Sequence, residues 1–282
     1  MKVNIVGGGI VGTLAAYLLS KSKHEVIIFD PDSPGSHASG FAFGEMSALE
    51  GSGIPDPLLG FTLSSFNAHK VLIPEIEEVS GIPTNYQSNH KLNLAFTEEQ
   101  EQKLKKEIEW QKDIEGFEVS WVTGKDLFDI EPLLNPECLG ATFIKDQASV
   151  EPYKLTLSAA TAAEKLGTSI INREVSDLIF AGGTCIGVKT EGSEHLADVT
   201  LLAMGPWSQS ASQWIGFDIP VRPLKGQILR MEAPGININT SVFHQSNYVG
   251  LKPDGLIWAG TTEEEVGFDE NPTAEARDQI MM

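Results

Sequence analysis

The amino-acid sequence predicts an α/β protein: a parallel sheet elaborated by a β-meander in one domain, and a mainly antiparallel α+β assembly in another. Three observations predict it. At the N-terminus a β-branched run meets a glycine cluster and then a helical apolar period; in the middle an alanine-rich helix precedes four short strands; the last third alternates β-type runs with Pro/Gly turns. At 282 residues the chain is long enough for about two cores.

Taken in order, Val3 to Val6 reads as a strand, Gly7-Gly8-Gly9 as a tight turn, and Ile10, Val11, Leu14, Ala15, Leu18 and Leu19 as the apolar positions of a helix ending near Lys21-Ser22-Lys23. His24 to Asp30 is a second strand, which completes a β-α-β unit. Residues 31 to 60 are rich in Gly, Ser and Pro and read as loops with one helical turn at most. The charged run from 98 to 115 reads as a solvated surface helix with a narrow stripe of Leu104, Ile108 and Trp110. Pro152 to Leu166 reads as a helix with Pro at its start and Gly167 at its end, packed on a sheet. Short strands follow at 168–172, 176–180, 185–190 and 197–203 as a meander returning to the parallel sheet. From Ile219 onward the runs QILRM, YVGLK and LIWAG read as a separate antiparallel sheet, and Asn271-Pro272 reads as the cap and first residue of a final helix.

Composition excludes several function classes. Lys and Arg number 20 against 39 Asp and Glu, a formal net charge of −19, which is the wrong sign for neutralising nucleic-acid phosphates. No apolar run approaches the roughly 18 residues that span a bilayer. No secretory leader precedes Val3, so a cytoplasmic location is the expectation. Cys138 and Cys185 lie far apart with no Cys-x-x-Cys or Cys/His cluster, so neither a metal site nor a redox dithiol is expected, and both read as inert thiols.

The motif that carries chemistry is Gly7-x-Gly9-x-x-Gly12, set between a strand and a helix, with Asp30 ending the next strand 18 residues beyond Gly12. Gly7 permits the tight turn and Gly9 lets main chain approach a diphosphate. Gly12 lets helix and strand pack closely, and the helix start at Ile10 and Val11 turns its positive end toward the phosphates. Asp30 would accept hydrogen bonds from an adenosine ribose and would repel a 2′-phosphate, so FAD or NAD is expected before NADP. The fingerprint does not separate FAD from NAD.

Four segments carry a wider likeness: VNIVGGGIVGTLAAYLL with VIIFD, the ASGFAFGEM loop, LLAMGPWS, and PVRPLKGQILRM followed by YVGLKPDGLIWAGTTEEEVGFDENPT. With these the chain resembles the flavin-dependent D-amino-acid oxidase and glycine oxidase family of FAD-dependent amine oxidoreductases. The resemblance selects FAD. It implies an FAD-binding Rossmann-like domain from residues 1–80 and 145–215, and a substrate domain from 81–144 and 216–282. By matched position, His37, Ala38 and Ser39 would touch the pyrophosphate, and Gly44, Glu45 and Met46 would lie near the isoalloxazine ring. Val175 would meet the adenine through its backbone, Ala203, Gly205 and Trp207 would form a second turn near the nucleotide, and Tyr248 would hold the substrate. Lys225 and Gln227, in the Lys-Gly-Gln turn, read as structural, and His244, Arg222 and Arg230 could face an anionic substrate or solvent, the surface role being the commoner for each.

The implied reaction is oxidation of the C–N bond of an amino acid or secondary amine by hydride transfer to flavin N5. Two alternatives stay open: a flavin dehydrogenase of a 2-hydroxy acid or glycerol phosphate, and a catalytically silent FAD-binding fragment. The family also carries a Gly-x-Arg-Pro segment whose arginine binds the substrate carboxylate, and a closing glycine-rich segment. This sequence has neither, which gives the expectation of a C-terminally truncated member. The oligomeric state is not readable.

Overall fold

The computed structural model describes residues 1–282. The chain begins with strand β1 (Lys2–Val6), helix α1 (Ile10–Lys21), strand β2 (Glu25–Asp30), the one-turn helix α2 (Ala38–Phe41) and strand β3 (Glu45–Met46). Helix α3 (Leu59–Ser80), strand β4 (Gln87–Ala95), helix α4 (Glu98–Gln111), strand β5 (Val119–Val122), helix α5 (Gly124–Ile130) and strand β6 (Gly140–Ser149) follow. Next come helix α6 (Pro152–Lys165) and strands β7 (Ser169–Asn172), β8 (Val175–Ala181), β9 (Thr184–Thr190), β10 (Ser193–Leu196) and β11 (Val199–Leu202). A 3₁₀ helix over Gly205–Ala211 leads to α7 (Ser212–Ile215), β12 (Ile228–Met231), β13 (Ser241–His244), β14 (Asn247–Leu251), β15 (Ile257–Gly260) and α8 (Ala274–Met281).

Two compact units divide the chain, one of Met1–Ala42, Ala68–Thr84 and Glu151–Leu224, the other of Phe43–Asn67, Asn85–Val150 and Lys225–Met282. In the first, an all-parallel sheet runs in the order β11-β1-β2-β7, and β8, β9 and β10 form the antiparallel meander. The alternation of β1 divides its apolar residues between the two faces of the sheet. Val3 and Ile5 pack with Ala16, Tyr17, Ala159, Ala162 and Ala163 of α1 and α6, while Val6 packs with Phe29, Val175, Leu178 and Val188. Small alanines let the two helices approach each other closely. Two buried hydroxyl pairs, Ser20 with Thr168 at 2.6 Å and Ser80 with Ser158 at 2.7 Å, satisfy polar groups this core encloses.

The second unit is an eight-stranded sheet, β12-β15-β14-β13-β4-β6-β3, with β5 also on β6. The last third is therefore not a separate antiparallel sheet. Strand β13 pairs in parallel with β4, Ser241 opposite Lys91 and Phe243 opposite Asn93, which joins both halves. One face is apolar: Leu92, Leu94, Ala141 and Val242 pack with Leu127 and Cys138. The other carries Lys91, Asn93, Ser241, Phe243 and Tyr248, by the two-residue period of the strands.

One local reading is corrected. The final helix is capped by Thr273, whose Oγ1 accepts from the Ala276 amide at 3.2 Å, and Asn271-Pro272 lies before it. Helix α3, 22 residues long, encloses Pro74, and burial of Phe66, Ile73 and Ile76 outweighs the hydrogen bond that the proline removes. Cys138 and Cys185 are free thiols, and burial pushes the Cys138 thiol up, opposed by the carbonyls of Gly140 and Ala95.

Candidate functional site

Two glycines of the β1–α1 turn, Gly7 and Gly12, are required by a close approach of main chain. A Cβ on Gly12 would lie 2.0 Å from the Gly7 carbonyl oxygen, so helix and strand touch main chain to main chain. Gly7 holds φ +112° with its amide on the Phe29 carbonyl at 2.8 Å, and a Cβ there would lie 2.3 Å from the Ala203 oxygen. Gly9 differs: a Cβ would meet only the Ser39 hydroxyl, at 3.0 Å. It caps α1 without a side-chain hydrogen bond, and Ser39 Oγ accepts from the Ile10 amide at 3.0 Å. The amides of Gly9, Val11 and Gly12 face the open end of the helix with no protein acceptor. Val11 is 64% exposed although apolar.

The Asp30 carboxylate is tied into the same turn. Its Oδ2 accepts from the Gly8 amide at 2.6 Å and its Oδ1 from the Asp32 amide at 2.9 Å. A carboxylate offers about four lone-pair sites, so roughly half of its accepting capacity remains for ribose hydroxyls. His37 bonds Asp32 at 3.0 Å and sets its ring edge-on to Trp207, with centroids 4.9 Å apart. Ala38 starts the short α2, and Gly205, at φ +52°, starts the 3₁₀ turn that carries Trp207. Ala203 continues β11 and donates its amide to the Val6 carbonyl at 2.8 Å. Ile10, Ser39, Asp30, His37, Trp207 and Ala203 are thus all assembled around the carboxyl ends of β1, β2 and β11, where open α/β sheets bind ligands. Val175 is buried in the core at the start of β8. Beside it lies an open depression of about 520 Å³ lined by Pro31, Asn172, Arg173, Glu174, Ser176 and Glu191.

This set fits a dinucleotide. Open amides at a positive helix end match a diphosphate, the bare Gly9 allows close approach, and the partly used carboxylate matches a ribose.

In the second unit Gly44, at φ +81°, accepts the Val150 amide at 2.9 Å, and Glu45 and Met46 pair with Ser149 and Ala148. Tyr248 lies across from Gly260, where a Cβ would come within 2.9 Å of its hydroxyl, so glycine is what lets the phenol lie flat on the sheet. Phe43 packs on it with centroids 4.1 Å apart. Burial pushes the Tyr248 hydroxyl up, opposed by its hydrogen bond with Thr261, so the phenol is a neutral donor at neutral pH.

Apart from Glu45, sequence reasoning passed over the polar face beside Tyr248. Asn89 Nδ2 bonds both Glu45 oxygens at 3.3 and 3.1 Å and Ser241 Oγ at 3.0 Å. Buried Lys91 bonds Ser47 at 3.2 Å, pairs with Glu50 and lies 3.7 Å over the Phe243 ring. No local motif marks these partners, because strand pairing brings them together from distant segments.

Lys225 and Gln227 are structural. Lys225 Nζ donates to the Asn271 carbonyl at 2.6 Å, and Gln227 bonds Glu264 at 2.7 Å and the Thr273 amide at 2.9 Å. Arg230 stacks 3.8 Å over Trp258 and His244 bonds Gln100 at 3.1 Å. No helix is long and apolar enough to cross a membrane.

Comparison with known proteins points one way. Residues 2–282 match the family model described as FAD dependent oxidoreductase. A glycine oxidase of Bacillus licheniformis is 27% identical over 268 residues, 95% of this chain and 71% of its own length. The glycine oxidase of Geobacillus kaustophilus is 29% identical over 275 residues, 96% of this chain and 72% of that protein. A crystal structure of glycine oxidase from Geobacillus kaustophilus superposes with a TM-score of 0.93 at 28% identity, over 99% of this chain and 75% of that one. An iminodiacetate oxidase structure from Chelativorans sp. BNC1, at 24% identity and a TM-score of 0.85 over 99% of this chain and 76% of that one, shares the fold.

Proposed function

The chain belongs to the FAD-dependent oxidoreductase family, and from that premise we propose that it oxidises the C–N bond of a small amino acid or secondary amine. The observation that carries the reading is the β1–α1 turn, with its open amides and its Gly8-bonded Asp30. The likeness to glycine oxidases supports the amine class of substrate.

In this reading Gly7, Gly9, Ile10, Val11 and Gly12 form the diphosphate cradle, with Ser39, Ala38 and His37 closing it from the adjoining loop. Asp30 takes the ribose, and the backbone near Val175, beside the 520 Å³ depression, takes the adenine. Ala203, Gly205 and Trp207 would line a second turn near the nucleotide, and Gly44, Glu45 and Met46 are the residues that would hold the flavin ring. Bound FAD supplies the two-electron acceptor for the hydride leaving the carbon that bears nitrogen. The protein's own work is placement and exclusion of water. Tyr248 donates from a neutral phenol to a substrate oxygen, and Phe43 walls the site with apolar surface.

The purified, FAD-loaded chain is mixed anaerobically with glycine, sarcosine, iminodiacetate, lactate and glycerol 3-phosphate. Loss of the flavin's visible absorbance with the amines and not with the hydroxy compounds is the expected result. Bleaching by the hydroxy compounds alone, or by none of the five, overturns the reading.

A further inference from the structure

Glu45 is a carboxylate set among side chains of the second unit, and its surroundings are specific. Phe43 lies on the polar face of the eight-stranded sheet, and Glu45–Met46 form its edge strand β3. Phe43 lies over Gly250 and Tyr248, since a Cβ on Gly250 would meet Phe43 Cζ at 3.3 Å and Ser241 Oγ at 3.2 Å. Two residues on, the Glu45 carboxyl is held by the Asn89 amide and lies 3.4 Å from Ser241 Oγ. The carboxyl and the Tyr248 phenol therefore share one face, bridged by Phe43 and Ser241. Two adjacent amides hold polar atoms without a protein partner: Asn89 Oδ1, and both Oε1 and Nε2 of Gln147, which is 1% exposed and pairs directly across from Asn89. Such groups are retained at a cost, which calls for a role.

We propose that Glu45 is the catalytic base that deprotonates the substrate ammonium. The inference rests on the amine-oxidation reading above. An alkylammonium has a pKa of about 10, like that of lysine, so an amine arrives at neutral pH with its nitrogen lone pair bound to a proton. Hydride departure from the adjoining carbon needs that lone pair. One N–H bond breaks and its proton joins a Glu45 carboxylate oxygen; the electron pair stays on nitrogen, giving the neutral amine and a neutral carboxylic acid. No oxidant is consumed in this step.

The charges around Glu45 suit the exchange. Burial pushes its carboxyl up from the ordinary value of 4.5, and Asn89, Lys91, Lys252 and Ser241 pull it back down. Lys91 is itself paired with Glu50, and Lys252 lies 4.3 Å over the Phe43 ring. A carboxylate raised by burial is a better match to an ammonium than a solvated one, and the two cations oppose that rise.

The test is the pH dependence of anaerobic flavin reduction in the FAD-loaded chain and its Glu45→Gln and Glu45→Asp variants. Glu45→Gln is expected to reduce roughly a hundredfold more slowly at pH 7. Its rate then climbs about tenfold per pH unit and meets the wild-type rate about two units higher, as the free-amine fraction grows toward the ammonium pKa of about 10. Glu45→Asp keeps a carboxylate and retains most of the neutral-pH rate. A second readout needs no turnover: tert-butylamine has no hydrogen on the carbon bearing nitrogen. Its binding is expected to raise a carboxylic-acid band in the infrared difference spectrum of the wild type and not of Glu45→Gln. Equal rates of wild type and Glu45→Gln at pH 7, a loss that is the same at every pH in both variants, or no such band in the wild type overturns the proposal. A wild type that no amine bleaches overturns the amine-oxidation reading instead.

Discussion

Gly9 and Gly12 stand three residues apart in one turn, yet their surroundings set opposite consequences for substitution. At Gly12 a methyl group meets fixed main chain at 2.0 Å, and neither helix nor strand can withdraw without losing the core of Ile5, Ala16 and Tyr17. Gly12→Ala is expected to cost on the order of 3 kcal/mol. At Gly9 the methyl group meets one rotatable hydroxyl at 3.0 Å and otherwise enters the space a diphosphate takes. Gly9→Ala is expected to leave unfolding by urea within about 1 kcal/mol of wild type and to lower FAD retention at least tenfold. Urea titrations of the apo forms, with flavin content of the purified proteins, check both. Unaltered FAD content in Gly9→Ala contradicts the cradle.

At the scale of elements, the Lys-Gly-Gln turn organises the end of the chain. Gln227 is held by its amide on Thr262 Oγ1 at 3.1 Å, and its side chain joins Glu264 to Thr273, the cap of α8. Gln227→Ala leaves the Thr273 amide without that acceptor and is expected to destabilise the second unit by about 1–3 kcal/mol. Hydrogen exchange should show the loss concentrated in 261–281, with α1 and β2 unchanged; uniform loosening contradicts the assignment. Elements whose partners lie nearby in sequence were legible in advance. The strand, turn and helix of 2–30 are written in three local signals: β-branched residues, glycines and a helical apolar period. Strand β6 and the parallel β13–β4 pair carry no such signal, because their register depends on partners far away in sequence, as with Ser241 and Lys91. For the same reason Asp30 could be chosen from spacing, while Asn89 and Ser241 could not.

For the whole molecule, the family match extends over residues 2–282, and the chain spans 71–73% of the length of the glycine oxidases of Bacillus and Geobacillus that it matches. The central claim is that the N-terminal turn recognises a dinucleotide through its diphosphate and ribose, with redox chemistry following from what is held there. FMN shares the flavin ring and one phosphate with FAD but lacks the adenosine and the second phosphate. The most direct measurement is therefore equilibrium titration of the apo chain with FAD and with FMN, read by flavin fluorescence. The account predicts FAD binding at least a hundredfold tighter than FMN, a difference of about 2.7 kcal/mol, with most of that preference lost in Gly9→Ala. Equal affinity for the two flavins, or no binding of either, would contradict it.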